Sequence, residues 1–303
     1  MRPRVPNCRG ASRVSRHYDV GTAMLPRISR NVVMPRVARL FRLFRLVLLA
    51  SLLCSVVVPA AWSADKPDCS RTLSLGLHEH GLLYSSQTGE GIDKDIADEL
   101  VRRSGCKFSV ALMPRARIWQ LIESGALDFS LSGITNTSRD RFAAFAWYFS
   151  NKYYLLVRKD AGVKAFADFE RNPALKLGVI RGFRYSESAN RLVDSLEAEQ
   201  RLSYSASLDP LYQVLLENRV QAMIIEPFDY PTIEQATIRE VTQVLEFEDP
   251  AVPHGLIMSK KTLPAAQQRA WRALVDEMRA DGTMQRIFEK YFSAEWARGM
   301  TRF

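Results

Sequence analysis

The chain has 303 residues, with 42 Lys and Arg against 33 Asp and Glu, a formal net charge of +9. Residues 1–63 hold 11 Arg, no Lys and one acidic residue, Asp19, which leaves 31 basic and 32 acidic residues in 64–303, a net of −1. The positive excess is confined to one end, so a nucleic-acid-binding protein loses its main support and no nucleic-acid partner is expected.

Arg36, Arg39, Arg42 and Arg45 precede the apolar run Leu46 to Val58, and Ala61-Trp62-Ser63 supplies small residues at a cleavage position. That order is that of a secretory signal peptide. A transmembrane anchor is the competing reading, but the uncharged run is short for a span and stops at Pro59. Met34 opens a segment of ordinary signal length, so the chain is expected to start there, with residues 1–33 an upstream extension. Cys54 reads as part of the apolar run, because Leu53 stands where a lipid-anchor site needs a small residue. The exported part then keeps only Cys69 and Cys106, and an even pair in an oxidising compartment predicts a disulfide.

Beyond residue 70 the chain alternates strand and helix signals. Thr72 to Leu77 alternates apolar and polar residues. From Asp93 to Ser104, Ile92, Ile96, Leu100 and Val101 share one helical face, and Gly105 stops it. Lys107 to Met113 is a predicted strand, Arg117 to Ser124 a short helix ended by Gly125, and Phe129 to Leu131 a third strand. Tyr153 to Arg158, Leu175 to Ile180, Leu202 to Ser205 and Ala222 to Ile225 read as strands of a second set. Phe166 to Glu170 reads as a helical turn, and Ser186 to Leu196 and Pro210 to Asn218 as helices. His254 to Ser259 is a returning strand, and helices follow over Pro264 to Ala280 and Thr283 to Tyr291. The alternation predicts parallel βαβ units. Cys69 and Cys106 each precede a strand that would start side by side in such a sheet.

Five stretches recur in a telling order: Gly91-Ile92-Asp93-Lys94-Asp95-Ile96; Gly125-Ala126-Leu127-Asp128; Ser132-Gly133-Ile134-Thr135-Asn136-Thr137-Ser138-Arg139; Tyr153 to Asp160; and Met278 to Met284 with Lys290-Tyr291-Phe292. In this order they resemble the periplasmic solute-binding proteins of ABC transporters, the polar amino-acid type. The resemblance implies a two-lobe α/β fold of the type II periplasmic-binding-protein kind, with two crossover segments and a cleft between the lobes. Residues 64–150 and 253–303 would form lobe one and 151–252 lobe two, with crossings near Phe149 to Asn151 and Asp249 to Pro253. It further implies a periplasmic monomer that takes a small solute, an amino acid in first place, and passes it to an ABC permease in the inner membrane, without a cofactor.

Open α/β sheets bind ligands beyond the carboxyl ends of their strands. The resemblance assigns an Arg after the third strand to the ligand's α-carboxylate, a role suited to a planar guanidinium fork. Arg139 takes it if one residue is deleted from the family's Thr-Pro-Glu-Arg; Arg141 is the alternative. Ser132, Thr135 and Thr137 would line the same loop. Tyr84 and His80 follow the first strand, and Arg117 and Trp119 the second; Tyr84 and Trp119 are the candidate pocket aromatics. In lobe two, Gly182-Phe183-Arg184-Tyr185 would offer backbone N–H groups, and Glu226 stands where the family places an acid for the ligand's amine. Asp93 and Asp95 read as acids at a helix start, and His78 with His80, lacking cysteine support, falls short of a metal site. The rival reading is an enzyme on the same fold, similar to cyclohexadienyl dehydratases acting on prephenate; the third is a diffusible sensor.

Overall fold

The computed structural model describes residues 66–303. The signal segment with Met34, Cys54 and Ala61-Trp62-Ser63 lies outside the described residues. The rest builds two five-stranded sheets.

The first sheet has the order β2-β1-β3-β10-β4. Its strands are β1 (Leu73–Leu77), β2 (Phe108–Leu112), β3 (Phe129–Gly133), β4 (Ala143–Asn151) and β10 (Val252–Ser259). Helices α1 (Ile92–Ser104) and α2 (Arg115–Ser124) make the crossovers, and β1 pairs in parallel with β2 and β3. The second sheet has the order β7-β6-β8-β5-β9. It comprises β5 (Tyr154–Arg158), β6 (Leu177–Ile180), β7 (Leu202–Ser205), β8 (Ala222–Ile225) and β9 (Thr242–Glu246).

Neither sheet is wholly parallel. β10 runs antiparallel to β3 and β4, and β5 antiparallel to β8 and β9. The cause is connectivity. The chain leaves the first sheet along β4, crosses through Lys152 and Tyr153 into β5, and returns from β9 to lie beside the strand it left by.

Each sheet is covered on both faces, as period-2 alternation requires. In the first, Leu75, Leu256 and Met258 pack towards α1 and the C-terminal helices α8 (Ala265–Ala280) and α9 (Thr283–Phe288). Phe145 and Ile257 pack towards Ile118, Trp119 and Ile122 of α2. In the second, Leu155, Val179 and Ile224 meet α4 (Glu187–Ala198), while Leu156, Met223 and Ile225 meet α5 (Leu208–Leu216). The α5 helix starts two residues before the predicted Pro210. Ser207 takes the N-cap, and a proline in the first turn forfeits no intrahelical hydrogen bond.

Cys69 and Cys106 form a disulfide with Cα atoms 4.7 Å apart. Among the described residues, no helix is long and apolar enough to cross a membrane.

Candidate functional site

The carboxyl ends of β1, β3, β6 and β8 face one another across a cleft. β1 delivers His78 and His80, and His80 opens a tight turn closed by its N–H to the Tyr84 carbonyl (3.0 Å). Both imidazoles are buried. Pro114 opens α2, and the first helical residue, Arg115, folds back onto the end of β3. There it donates to the carbonyls of Leu131 (2.9 Å) and Ser132 (2.6 Å). Ser132 itself holds φ of 51°, a sparsely populated region for a non-glycine residue. Its N–H donates to the Tyr148 hydroxyl (2.6 Å) and its Oγ to Asp93 Oδ1 (2.6 Å), which over-determines that backbone.

Arg139 begins a single 3₁₀ turn, Arg139–Arg141. Its backbone N–H is fixed by Asn136 Oδ1 (2.8 Å), and its guanidinium lies 3.8 Å from the centroid of the Trp119 ring. One guanidinium nitrogen donates to the Ile134 carbonyl in its own lobe, and the other reaches the Gly182 carbonyl of lobe two, both at 2.9 Å. Glycine is required at 182. Its φ is +83°, and a Cβ there would stand 2.8 Å from Ala116 Cα across the cleft.

Lobe two brings Glu226 from the end of β8, its N–H held by Asp229 Oδ2 (2.9 Å). Glu226 Oε1 lies 2.6 Å from His80 Nε2, an ion-pair contact between the lobes. Its Oε2 accepts from Asn151 Nδ2 (3.1 Å) and lies 3.9 Å from His254 Nε2. His254 stands on β10, stacked on Phe149. Its Nδ1 is 2.9 Å from the Val252 carbonyl, which can only accept, so Nδ1 carries the proton and Nε2 accepts from the Tyr153 hydroxyl at 2.8 Å. Phe183 stacks on His80, with centroids 5.1 Å apart.

Burial and charge set the protonation states. At His80 burial works against the charged form, but the contact and charge of Glu226 outweigh it and the pKa is raised. Burial likewise opposes ionisation of Glu226, and His80 outweighs it, leaving that pKa lowered. Both directions describe an imidazolium–carboxylate pair. His254 is pushed down to about 4, mainly by burial, and His78 well below its usual value by burial and then Arg115, so both are neutral. Burial raises Asp93 to about 6 and Asp229 to about 7. Arg139 is pushed down to about 9, first by burial and then by Arg115, which still leaves it charged at neutral pH.

The cavity enclosed by His78, Arg115, Ser132, Arg139, Phe183, Arg184, Glu226 and His254 measures about 10 Å³, the room of a single water. The lobes are therefore closed on one another, and a solute enters only if they part. Arg184 is committed to Asp194 (2.7 Å). Arg115 and Arg139 have carbonyl partners and aromatic faces, and no carboxylate within ion-pair distance among the described residues. A larger groove of about 580 Å³, lined by Tyr154, Tyr230, Val244, Tyr291, Phe292 and Trp296, presents carboxylates at Glu226 and Glu234 and no cation.

Of the residues singled out in the sequence, Arg139, Glu226, Ser132, Phe183 and Arg184 line the cavity, and His80, Trp119 and Gly182 touch those that do. Tyr185 is buried in the lobe-two core. Tyr84 packs on the lobe-one core. Thr135 is exposed and bonded to Asp140, Thr137 is exposed, and Arg117 and Arg141 point to solvent with Gln120 (3.4 Å) and Ser138 (3.2 Å) as partners. Thr135, Thr137, Arg117 and Arg141 stand off the cavity because the turn after β3 and the first turn of α2 each turn only one Arg inward. The sequence placed Arg115 after the second strand without a role and His78 beside His80 as polar cleft residues, and it gave no site role to His254, Tyr153 or Asn151. Among the described residues no group of three or more His, Cys, Asp or Glu is placed to hold a metal ion.

The family model of bacterial extracellular solute-binding proteins, family 3, matches residues 80–294. The chain belongs to that family. No curated protein sequence matches it significantly. Among solved structures it is similar to an ancestral arginine-binding protein bound to arginine, at 21% identity and TM-score 0.63, covering 75% of this chain and 100% of that one. It is similar to the arginine-, lysine-, histidine-binding protein ArtJ of Geobacillus stearothermophilus, at 17% identity and TM-score 0.61, covering 73% and 95%. An ancestral amino acid-binding protein described as a precursor of cyclohexadienyl dehydratase matches at 21% identity and TM-score 0.61, covering 73% and 96%. At these identities the likeness establishes the fold, the two-lobe type II arrangement of a periplasmic binding protein.

Proposed function

We propose that this solute-binding protein captures a small polar solute of amino-acid size through its carboxylate, by closure of the two lobes, and delivers it to an ABC permease. It acts in the periplasm after loss of the segment ending near residue 63, with 64–150 and 253–303 as lobe one and 151–252 as lobe two. The observation that carries this is Arg139. It is a buried guanidinium whose hydrogen bonds go to one carbonyl from each lobe, so an anion bound to it completes charge-assisted bonds in the closed form and biases the lobes towards closure. The family and the amino acids named for the similar structures define the first ligand panel. A second reading, an enzyme on this scaffold, draws on Glu226 held between two histidines in the same cavity.

A thermal-shift screen of amino acids and the organic acids of matching carbon skeleton tests the proposal. A ligand at 100 times its Kd adds about 2.7 kcal/mol, roughly 5–11 °C for a protein of this size. No shift from any panel member, with turnover of prephenate, would transfer the cleft to the enzyme reading.

A further inference from the structure

Glu226 is the acid that the resemblance assigns to a ligand's amine, yet a cation of the protein already answers it. His80 Nε2 stands 2.6 Å from one carboxylate oxygen, and Asn151 Nδ2 reaches the other at 3.1 Å. Opposite them, Arg115 and Arg139 are buried with only carbonyls as hydrogen-bond acceptors. We infer that the solute is an organic acid without an ammonium group, a hydroxy- or oxo-carboxylate or a dicarboxylate, and that His80 stands as a resident cation in the place an amine would take. The inference rests on the reading of this cleft as the solute site.

The charge balance of the lining leads there. Three guanidiniums and one carboxylate face the cavity. The carboxylate is neutralised by His80, one guanidinium by Asp194, and two are left for the solute. The other acids nearby stand behind the lining. Asp93 receives Ser132 Oγ, and Asp229 receives the Glu226 N–H. His78 acts as an internal probe of the same space. Its protonation is disfavoured by burial, then by Arg115 and His80, and a ligand ammonium beside it would meet the same field. What His78 offers is a buried Nδ1 without a partner, suited to a hydroxyl or carbonyl oxygen on an acid held by the two arginines.

An amine could reach Glu226 only by displacing His80. Of the groups facing that imidazole, Glu226 and Asp229 hold its proton, while Arg115 and burial expel it; His78 and His254 are the neutral neighbours. Parted from Glu226, His80 loses its proton. A zwitterion, which takes the place of His80 at Glu226, would therefore bind with proton release relative to an anion that leaves the pair made in the closed form, and relatively more weakly as pH falls.

The experiment titrates the exported protein calorimetrically at pH 7, in two buffers of different ionisation enthalpy, with pairs differing only at the amine: glutamate and 2-oxoglutarate, aspartate and malate, alanine and lactate, phenylalanine and phenyllactate. The expected result is at least tenfold tighter binding of the amine-free member of the preferred pair, with the amino acid releasing more protons than its partner, read from the buffer dependence of the two apparent enthalpies. His80→Gln, which keeps the side chain polar and removes the charge, is expected to shift the ratio at least tenfold towards the amino acid. If the amino acid binds as tightly as its partner, or if His80→Gln leaves the ratio unchanged, the inference fails while solute capture stands. If no member binds at all, the reading of the cleft fails and the inference with it.

Discussion

The cleft wall built on the first sheet carries Arg115, Arg139, His78, His80 and His254, whereas the wall built on the second brings one carboxylate, the Gly182 carbonyl, the Phe183 ring and Arg184, a guanidinium already paired with Asp194. Lobe one thus holds almost all the charge that can recognise an anion. Lobe two supplies the groups that close over it. Two of the interlobe polar contacts, Arg139 to the Gly182 carbonyl and His80 to Glu226, join a lobe-one cation to a lobe-two acceptor. A third link is apolar. Phe228, two residues beyond Glu226, is fully buried against Phe149, Phe288 and Phe292 of lobe one. The Leu82 N–H donates to the Phe228 carbonyl (3.0 Å), and at Gly81 a Cβ would fall 2.3 Å from that oxygen. Glu226 is therefore tethered beside the first lobe.

The largest effect is expected from emptying the lobe-one wall. In Arg139→Ala the solute's carboxylate loses its cation and the Gly182 carbonyl loses its donor. Truncating one partner of a buried, hydrogen-bonded charge pair costs about 2–5 kcal/mol in binding, at least thirtyfold in Kd. Calorimetric titration reads the loss, and circular dichroism is expected to show an intact fold, since the side chain faces the cleft. Unchanged affinity would mean that the recognition charge lies elsewhere on the wall.

Lobe two is sharpened by Gly182→Ala, whose cost divides into two measurable parts. The positive φ of 83° penalises an L-residue whether the cleft is open or closed, by roughly 1–2 kcal/mol, and appears in the melting temperature. The contact with Ala116 Cα exists only when the lobes meet, so it acts on closure. An overpacking cost of about 1–3 kcal/mol corresponds to a Kd about tenfold weaker, and small-angle scattering is expected to show a larger radius in the presence of ligand. Full closure with unaltered affinity would show that the two lobes do not approach this closely in solution.

Most strands and the covering helices followed from alternation and glycine stops, because those signals are local. β4 did not show itself. Ala143–Asn151 is buried on both faces except at Trp147, so it lacks the polar alternation that marks a half-buried strand. β9 pairs only with β5 and offers five residues. At the site, Arg139 and Glu226 were legible from their place after strand ends within a known motif order. Arg115 sat in plain view beside Arg117, but its inward turn depends on two carbonyls of β3, sixteen and seventeen residues along the chain. His254 is brought by the returning strand β10 to the carboxylate that His80 meets from the end of β1, a long-range convergence that no spacing announces. The amine-binding reading of Glu226 considered the acid alone; its partner became visible only with the cleft closed.

The smallest expected effect separates the two arginines of the Arg139–Arg141 turn. Arg141 is exposed and bonds only Ser138 Oγ, at 3.2 Å. An exposed substitution of this kind shifts stability by about 0.5 kcal/mol or less, and the corresponding change in affinity is about twofold. Because both side chains leave the same short turn, a backbone disturbance would weaken binding in either variant alike. Only a side-chain role produces a difference between them. Parallel titrations of Arg139→Ala and Arg141→Ala therefore read the register of the wall directly. If Arg141→Ala is the variant that loses binding, the carboxylate is held two residues further along. The inward guanidinium over Trp119 would then be a structural group, and the cation surplus of lobe one would no longer distinguish it from lobe two.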